Sequence, residues 1–185
     1  MTDRSRLITL LATRSTRRGR FTLASGKTSD VYIDARLTTM SPDGLRLIGA
    51  IGLAAIQTED WRADAVGGLT LGADPIAYAI SYASASSAKP LRAFTVRKQA
   101  KTHGTGQLIE GPFVPRDRVV VVEDVVTTGR STLQAIDAVR GADGVVAGVL
   151  ALVDREEGGC EAIEAAGIRV VSLVRASELL EALPT

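Results

Sequence analysis

The chain has 185 residues, with a hydrophobic fraction of 45% and a charged fraction of 23%, which are ordinary values for a soluble globular domain. Its net charge of +1 gives no argument for nucleic acid or membrane as a partner, and no run reaches the roughly 20 apolar residues of a membrane span. The single cysteine, Cys160, excludes an intramolecular disulfide and fits a reducing cytoplasm, and residues 1–20 lack the apolar stretch of a signal peptide. We therefore expect one cytoplasmic domain over residues 1–185.

The first forty residues differ in pattern from the rest of the chain. Two strand-like stretches, residues 21–23 and 31–34, flank a polar segment that contains glycine and serine. Such a pattern is typical of a β-hairpin. We predict that residues 1–40 form a small N-terminal hood over the mouth of a sheet rather than a separate domain.

Helix-like and strand-like segments alternate from residue 41 to the end. Ser41 and Pro42 begin a helix that runs to residue 57, because proline is favoured in a first helical turn. Further helices are predicted over 74–81, 131–140, 156–166 and 177–183, and strands over 63–68, 91–96, 118–122, 145–153 and 168–174. This alternation predicts that residues 41–185 are an α/β core: a doubly wound, mostly parallel sheet with its ligand at the carboxyl ends of the strands.

The stretch from Arg118 to Thr132 carries the strongest functional signal. Four consecutive valines, typical of a strand buried on both faces, end at Glu123 and Asp124. A turn with threonines and a glycine follows, and a helix begins near Ser131. Carboxylates can bind sugar hydroxyls, and the N–H groups of the turn and helix can bind phosphate, so the predicted ligand is a sugar phosphate. In the alternative, one acid merely caps the helix or pairs with an arginine.

A basic loop is the second constellation. Arg97, Lys98, Lys101 and His103 lie within seven residues of a polar loop over 97–112 that also contains glycines. A short run of charge is usually only a solvated surface. Here the loop follows a strand at the ligand edge, and the cations could neutralise a polyphosphate leaving group, with Arg97 clamping phosphate oxygens bidentately.

Two weaker signals lie at the ends of other strands. The glycine-rich turn over 67–75 is a candidate second anion cradle, although such turns often serve only close packing. Arg155 follows the strand over 145–153. It is either an ion-pair partner of Glu156 or Glu157 or a reader of a substrate carboxylate, and the sequence leaves both open.

Together these segments resemble the type I phosphoribosyltransferases, and among them the orotate phosphoribosyltransferase family. The resemblance rests on residues 120–132, on the basic loop over 97–104 with 108–111, on the hood segments 21–27 and 32–34, and on Asp154 with Arg155. It spans nearly the whole chain. The phosphoribosyl motif alone indicates only the superfamily, whereas the basic loop and the hood indicate the orotate enzymes.

The resemblance implies a role for each matching residue. Glu123 and Asp124 would bind the ribose hydroxyls, and Arg155 would bind the carboxylate of orotate. Thr127 would contact orotate as well as phosphate. The 5′-phosphate would be wrapped by Val125, Val126, Thr127, Thr128, Gly129, Arg130 and Ser131.

The basic loop would close on the pyrophosphate through four residues, Arg97, Lys98, Lys101 and His103. Of these, Arg97, Lys101 and His103 are implied to take part in catalysis, together with Asp124. The family pattern places this loop in the site of the neighbouring subunit, which implies a homodimer. Mg²⁺ would be held mainly by diphosphate and ribose oxygens, so no residue is predicted as a dedicated metal ligand.

The implied reaction transfers a ribosyl 5-phosphate group from 5-phosphoribosyl 1-diphosphate to orotate, giving orotidine 5′-phosphate and pyrophosphate for UMP biosynthesis. Two rivals remain. A phosphoribosyltransferase for a purine base is disfavoured by Arg155, because purines lack a carboxylate. A non-catalytic sensor of 5-phosphoribosyl 1-diphosphate is disfavoured by the complete set of loop cations.

The sequence departs from the family pattern at four positions. Glu123 stands where many relatives have aspartate, and Gln99 where the loop usually carries an acid. Ala24 and Leu71 stand where some bacterial relatives have lysine. Two diphosphate contacts of those relatives are therefore not expected here, and neither position is assigned a role.

Overall fold

The N-terminal segment forms the hood. The structure, a computed structural model, describes residues 1–22, 28–99 and 108–183. The elements of the hood are helix α1 (Asp3–Leu10), which continues into a π-helical turn (Leu11–Ser15), strands β1 (Thr16–Thr22) and β2 (Thr28–Ile33), and the short helix α2 (Arg36–Thr39). β1 and β2 pair antiparallel, so the predicted hairpin is present and is longer than the sequence pattern indicated.

The rest of the chain alternates between helices and strands. In chain order it contains α3 (Pro42–Thr58), β3 (Ala65–Leu69), α4 (Ala73–Ala83), β4 (Arg92–Val96), β5 (Ile109–Glu110), β6 (Arg118–Val126), α5 (Arg130–Gly141), β7 (Val145–Asp154), α6 (Gly159–Ala165), β8 (Val170–Arg175) and α7 (Ala176–Glu181). Each predicted element of the core is present with shifted ends. The segment predicted as a loop over 97–112 also contains the short strand β5.

Six strands form one sheet in the order β5-β4-β3-β6-β7-β8. All neighbours pair parallel except β5, which pairs antiparallel with β4 at the edge. Helices cover both faces of the sheet. Successive side chains of the central strand β6 point to opposite faces and therefore pack against different helices. Val120 and Val122 pack in the cluster that contains α3 and α4, whereas Val119 and Val121 pack in the cluster that contains α5 and α6. The predicted doubly wound, mostly parallel sheet is confirmed.

The connections of the sheet define where a ligand should bind. From β3 the chain moves to β4 on one side, and from β6 it moves to β7 on the other. β3 and β6 are nevertheless neighbours, with Gly67 paired to Val121. Connections that leave adjacent strands in opposite directions open a crevice at their carboxyl ends. The fold therefore places the candidate site beyond the ends of β3 and β6.

Helix α1 has no counterpart among the elements predicted from the sequence. Leu7 and Leu11, one helical turn apart, are fully buried and join the core cluster that includes Leu47 of α3. Because the helix also carries arginines, its average hydrophobicity is low, and the apolar pair does not stand out in the sequence. Among the described residues, no helix is long and apolar enough to cross a membrane.

Candidate active site

A cavity of about 280 Å³ opens at the carboxyl ends of β3 and β6, and we call it the switch-point cavity. Four separate parts of the chain line it: the end of the hood hairpin with the start of α2, the β3–α4 turn (residues 70–72), Lys98 after β4, and the end of β6 with the start of α5. The lining residues are Tyr32, Ile33, Asp34, Ala35, Arg36, Leu69, Thr70, Leu71, Gly72, Lys98, Glu123, Asp124, Val125 and Ser131.

The two adjacent acids at the end of β6 have different environments. Glu123 is buried and its Oε2 accepts a hydrogen bond of 3.0 Å from the hydroxyl of Thr132. Burial, and then the charge of Asp124, raise the pKa of Glu123 to about 8. Asp124 is half-buried, and its Oδ1 accepts from the main-chain N–H of Val125 at 2.9 Å. Asp124 is therefore the acid better placed to present a negative charge to a ligand.

The predicted phosphate segment is divided between two surfaces. Gly129 has φ of +75° and forms the N-cap of α5, a backbone conformation that glycine adopts without strain. Val125 and Ser131 line the switch-point cavity, while Val126 is buried. Thr127 is half-buried beside Gly159.

Thr128 and Arg130 line a different, larger cavity of about 1130 Å³ on another side of α5. Among the residues that the structure describes, most of its lining is apolar or weakly polar, including Leu108, Phe113 and Leu133, and Asp137 is the one carboxylate. It contains neither the acid pair nor the β3–α4 turn. The switch-point cavity is thus the better candidate although it is smaller, because the charged groups and the strand ends converge there.

The described part of the basic loop is only partly at the cavity. Lys98 lines it, and the Lys98 carbonyl accepts a hydrogen bond of 3.1 Å from Nε2 of Gln134. Arg97 instead forms an ion pair with Glu110, with Nη1 3.5 Å from Oε1. The predicted roles of Lys101 and His103, and the departure at Ala24, lie outside the described residues.

Arg155 is held by two contacts. Its side chain is only 7% exposed, and its Nη2 donates to Oε1 of Glu157 at 2.7 Å and to the hydroxyl of Ser29 at 3.1 Å. Ser29 belongs to β2, so this arginine joins the core to the hood, a contact that the sequence did not reveal. Glu156 takes no part, since its carboxylate accepts from the N–H of Ser177. The ion-pair interpretation is correct for Glu157, and it leaves the guanidinium desolvated and oriented.

The β3–α4 turn approaches the acids closely. A Cβ atom on Gly72 would overlap the carboxyl group of Asp124, so a larger residue here must displace either the Asp124 side chain or the turn. The turn is followed directly by the first residues of α4, whose free N–H groups favour anions. The second anion cradle predicted from the sequence thus lies beside Asp124, at the end of β3 next to the end of β6.

The fold and this cavity define the class of protein. A doubly wound, mostly parallel sheet that carries a hood, with an acid pair leading into a glycine-containing turn and a helix at the switch point, is the organisation of a type I phosphoribosyltransferase, and solved structures of that class share the fold.

The relatives of the chain narrow the class to one family. No protein-family model matches the chain. The orotate phosphoribosyltransferase of Aquifex aeolicus is 47% identical over 183 residues, which cover 97% of this chain and 99% of the relative. That of Mycobacterium tuberculosis H37Rv is 47% identical over 177 residues, covering 96% of both chains. The chain belongs to the orotate phosphoribosyltransferase family, whose members are pentosyltransferase enzymes.

Solved structures agree. The Mycobacterium tuberculosis orotate phosphoribosyltransferase in complex with Fe(III) dicitrate has a TM-score of 0.84 at 45% identity and covers 96% of this chain and 99% of its own. The same enzyme in complex with 5-phospho-α-D-ribosyl 1-diphosphate has a TM-score of 0.77 at 39% identity, covering 96% and 91%. An adenine phosphoribosyltransferase from Leishmania tarentolae, at 16% identity and TM-score 0.66 with coverage of 98% and 93%, shows the fold alone.

Proposed function

We propose that the protein transfers a ribosyl 5-phosphate group from 5-phosphoribosyl 1-diphosphate to orotate, releasing pyrophosphate and forming orotidine 5′-phosphate for UMP biosynthesis. The observation that carries this proposal is the convergence of Asp124, the β3–α4 turn and Lys98 on one cavity at the switch point. Asp124 offers a carboxylate for the ribose hydroxyls. The turn and Lys98 offer N–H groups and a cation for the diphosphate.

Orotate N1 would displace pyrophosphate from C1 of the ribose through an oxocarbenium-like transition state. Orotate is already anionic, so the protein's contribution is to position the two substrates and to neutralise the charge that develops on the leaving group. Arg97, Lys98, Lys101 and His103 would supply that positive charge. Arg155, desolvated and oriented by Glu157, would bind the orotate carboxylate, and Thr127 would lie where the substrates meet.

The donors at the cavity fit Mg²⁺ only as an ion bound with substrate. Within the described residues, no group of three or more His, Cys, Asp or Glu side chains could hold a metal ion. Mg²⁺ keeps few protein ligands and prefers phosphate and carboxylate oxygens. The diphosphate and ribose oxygens would therefore hold most of it, with Asp124 as the nearest carboxylate of the protein, and when bound it would neutralise charge on the departing pyrophosphate.

We also propose a cytoplasmic homodimer. Tyr78 and Tyr82, one turn apart on α4, are 53% and 85% exposed, and Leu71 just before this helix is also exposed. Large apolar side chains grouped on a surface are typical of an interface. Because Leu71 also lines the cavity, a partner on this face would lie beside the site and could contribute its basic loop.

Subunit exchange tests the shared site. Lys101→Ala and Asp124→Asn would each abolish most activity alone. If the loop enters the partner's cavity, mixing the two variants creates heterodimers in which one site carries neither change, and activity returns. If the mixture is no more active than the sum of its parts, each subunit uses its own loop.

The reaction itself is tested by supplying 5-phosphoribosyl 1-diphosphate and Mg²⁺ with either orotate or adenine and following the absorbance of the base. We expect turnover with orotate, one pyrophosphate released per orotidine 5′-phosphate, and none with adenine. Turnover of adenine would favour the purine rival. Binding of 5-phosphoribosyl 1-diphosphate without turnover of either base would favour the sensor.

A further inference from the structure

Asp74 is a buried carboxylate outside the cavity whose two oxygens are both occupied. Its side chain belongs to a residue only 8% exposed, and it lies in the first turn of α4, where the helix dipole favours a negative charge. Oδ2 accepts a hydrogen bond of 2.7 Å from the hydroxyl of Thr70, and Oδ1 accepts one of 2.9 Å from the hydroxyl of Thr95. We call these three residues the Asp74 cluster.

The cluster joins two parts of the chain that both reach the cavity. Thr70 is the first residue of the β3–α4 turn and lines the cavity. Thr95 belongs to β4, opposite Gly68 in the ladder, and β4 leads directly into Arg97 and Lys98. Among the described residues, a main-chain bond of 2.8 Å from the N–H of Thr70 to the carbonyl of Val96 also joins the turn to this strand. Asp74 therefore adds side-chain bonds that hold the turn to the strand leading into the basic loop.

The position of the turn matters because it has no spare room. Gly72 lies against the carboxyl group of Asp124, so a shift of the turn alters the space between its N–H groups and the ribose end of the cavity. A displacement of about 1 Å can cost a large factor in rate when it separates groups that must act together. The two hydrogen bonds of Asp74 oppose such a shift.

Tyr78 extends the cluster towards the surface. Its hydroxyl lies 3.1 Å from the hydroxyl of Thr95. Because the single proton of the Thr95 hydroxyl is donated to Asp74, the tyrosine is the donor in this pair. The chain of hydrogen bonds thus runs from Tyr78 through Thr95 to Asp74, and Thr70 donates to the same carboxylate.

We propose that Asp74 is a positioning residue that holds the β3–α4 turn in the geometry needed to bind the diphosphate of 5-phosphoribosyl 1-diphosphate. It acts through Thr70 and Thr95 and does not touch substrate. The proposal rests on the proposed function, and it links Asp74 only to the binding of the diphosphate group of 5-phosphoribosyl 1-diphosphate. The binding of orotate and of the 5′-phosphate should not depend on Asp74.

The test compares Asp74→Ala and Asp74→Asn with wild type. The Michaelis constants for 5-phosphoribosyl 1-diphosphate and orotate are measured together with the dissociation constant of orotidine 5′-phosphate, which lacks a diphosphate. Asp74→Ala should raise the Michaelis constant for 5-phosphoribosyl 1-diphosphate by about tenfold, the scale of losing two hydrogen bonds. The Michaelis constant for orotate and the dissociation constant of orotidine 5′-phosphate should stay within about twofold of wild type. Asp74→Asn should recover much of the loss, because its amide accepts from one hydroxyl and donates to the other.

Asp117 provides a matched control at the other end of the strands, just before the first residue of β6. It is equally buried, at 7% exposed, and its two oxygens accept from Arg92 and from the N–H of Val114. Asp117→Ala should lower the thermal midpoint and leave all three constants unchanged. If Asp74→Ala does not fold, Thr95→Val removes one of the two bonds and should raise the Michaelis constant for 5-phosphoribosyl 1-diphosphate by about threefold.

Two results would overturn the proposal. One is a folded Asp74→Ala, or failing that Thr95→Val, with an unchanged constant for 5-phosphoribosyl 1-diphosphate. The other is an equal loss of affinity for orotidine 5′-phosphate, which would mean general damage to the site. A wild-type protein that binds 5-phosphoribosyl 1-diphosphate but transfers nothing to orotate would instead contradict the proposed function, and calorimetric binding to the same variants would still test Asp74.

Discussion

The two sides of the switch-point cavity are held in place by different means. On the β6 side, Asp124 belongs to a strand that is paired with β7 as far as Val126, and Ser131 belongs to the first turn of α5. On the β3 side, the turn over 70–72 lies outside the strand, and the side chain of Asp74 ties it to β4. Main-chain pairing thus holds the β6 side, whereas on the β3 side one main-chain bond, from the N–H of Thr70 to the carbonyl of Val96, is supplemented by the two side-chain bonds of Asp74.

Because of this difference, we expect substitutions on the two sides to affect activity in different ways. On the β6 side, a substitution removes a functional group but leaves the main chain where it is. On the β3 side, a substitution that never touches substrate should still move the groups that do. Substitutions that change one side at a time test this contrast between the two sides of the cavity.

The largest effect is expected from removing a lysine whose positive charge would contact the leaving group. Lys101→Ala should lower kcat by about 10²–10³, the scale of one electrostatic contact made in the transition state. Lys89, on the surface and paired with Asp64, provides the control, and Lys89→Ala should leave kcat unchanged. Steady-state kinetics measure both. A kcat for Lys101→Ala within a factor of a few of wild type contradicts the proposed mechanism.

A substitution in the β3–α4 turn should lower activity nearly as much, although it removes no charge. The methyl group of Gly72→Ala would overlap the carboxyl of Asp124 and displace either that carboxyl or the turn, so kcat/KM for 5-phosphoribosyl 1-diphosphate should fall by about 10²-fold. Gly141→Ala is the matched control, because a Cβ there meets nothing within 4 Å. Gly141 lines the larger cavity. If Gly141→Ala is the more harmful change, the substrate binds there instead.

Arg155 should affect the second substrate alone. Arg155→Leu removes a charge-assisted hydrogen bond of about 1.5–3 kcal/mol, so the Michaelis constant for orotate should rise by about 10- to 100-fold. The constant for 5-phosphoribosyl 1-diphosphate should not change. Arg62→Leu, at an exposed arginine paired with Asp60, serves as the control. Equal losses for both substrates would show that Arg155 holds the hood to the core rather than binding orotate.

The smallest effect concerns stability and pH. Because the folded-state pKa of Glu123 is raised to about 8 from a usual 4.5, the stability that this group contributes is fully present below about pH 4.5 and is lost as pH rises through 8. Glu123→Gln removes the titration. Between pH 5 and pH 8, the free energy of unfolding of wild type should therefore fall by at least about 1 kcal/mol relative to the variant. Denaturant titrations measure this, and parallel pH profiles would mean that Glu123 titrates normally.

The β6 side could be predicted from the sequence because it is contiguous. Valines 119–122, the two acids and the turn before α5 follow one another, so a local pattern encodes the structure, and the same pattern carries the prediction of a sugar-phosphate ligand. The pattern could not separate Glu123 from Asp124. Only the packing of Glu123 against Thr132 on α5 distinguishes a buried carboxyl with a raised pKa from one that faces the cavity.

The β3 side was only partly predictable because its parts are distant in sequence. The glycine-rich turn was recognised as a candidate anion cradle, but Asp74 was interpreted only as part of a helix start. Its bond to Thr95 joins residues 21 positions apart, and no local pattern reports such a contact. The same holds for the bond between Arg155 and Ser29, 126 positions apart, and for the pairing of Arg97 with Glu110.

The most direct test is a crystal structure of the protein with 5-phosphoribosyl 1-diphosphate. The account predicts the ribose at Asp124 and the diphosphate between the β3–α4 turn and Lys98, in the switch-point cavity. Ligand density in the larger cavity beside Phe113 and Arg130, with the switch-point cavity empty, would contradict it.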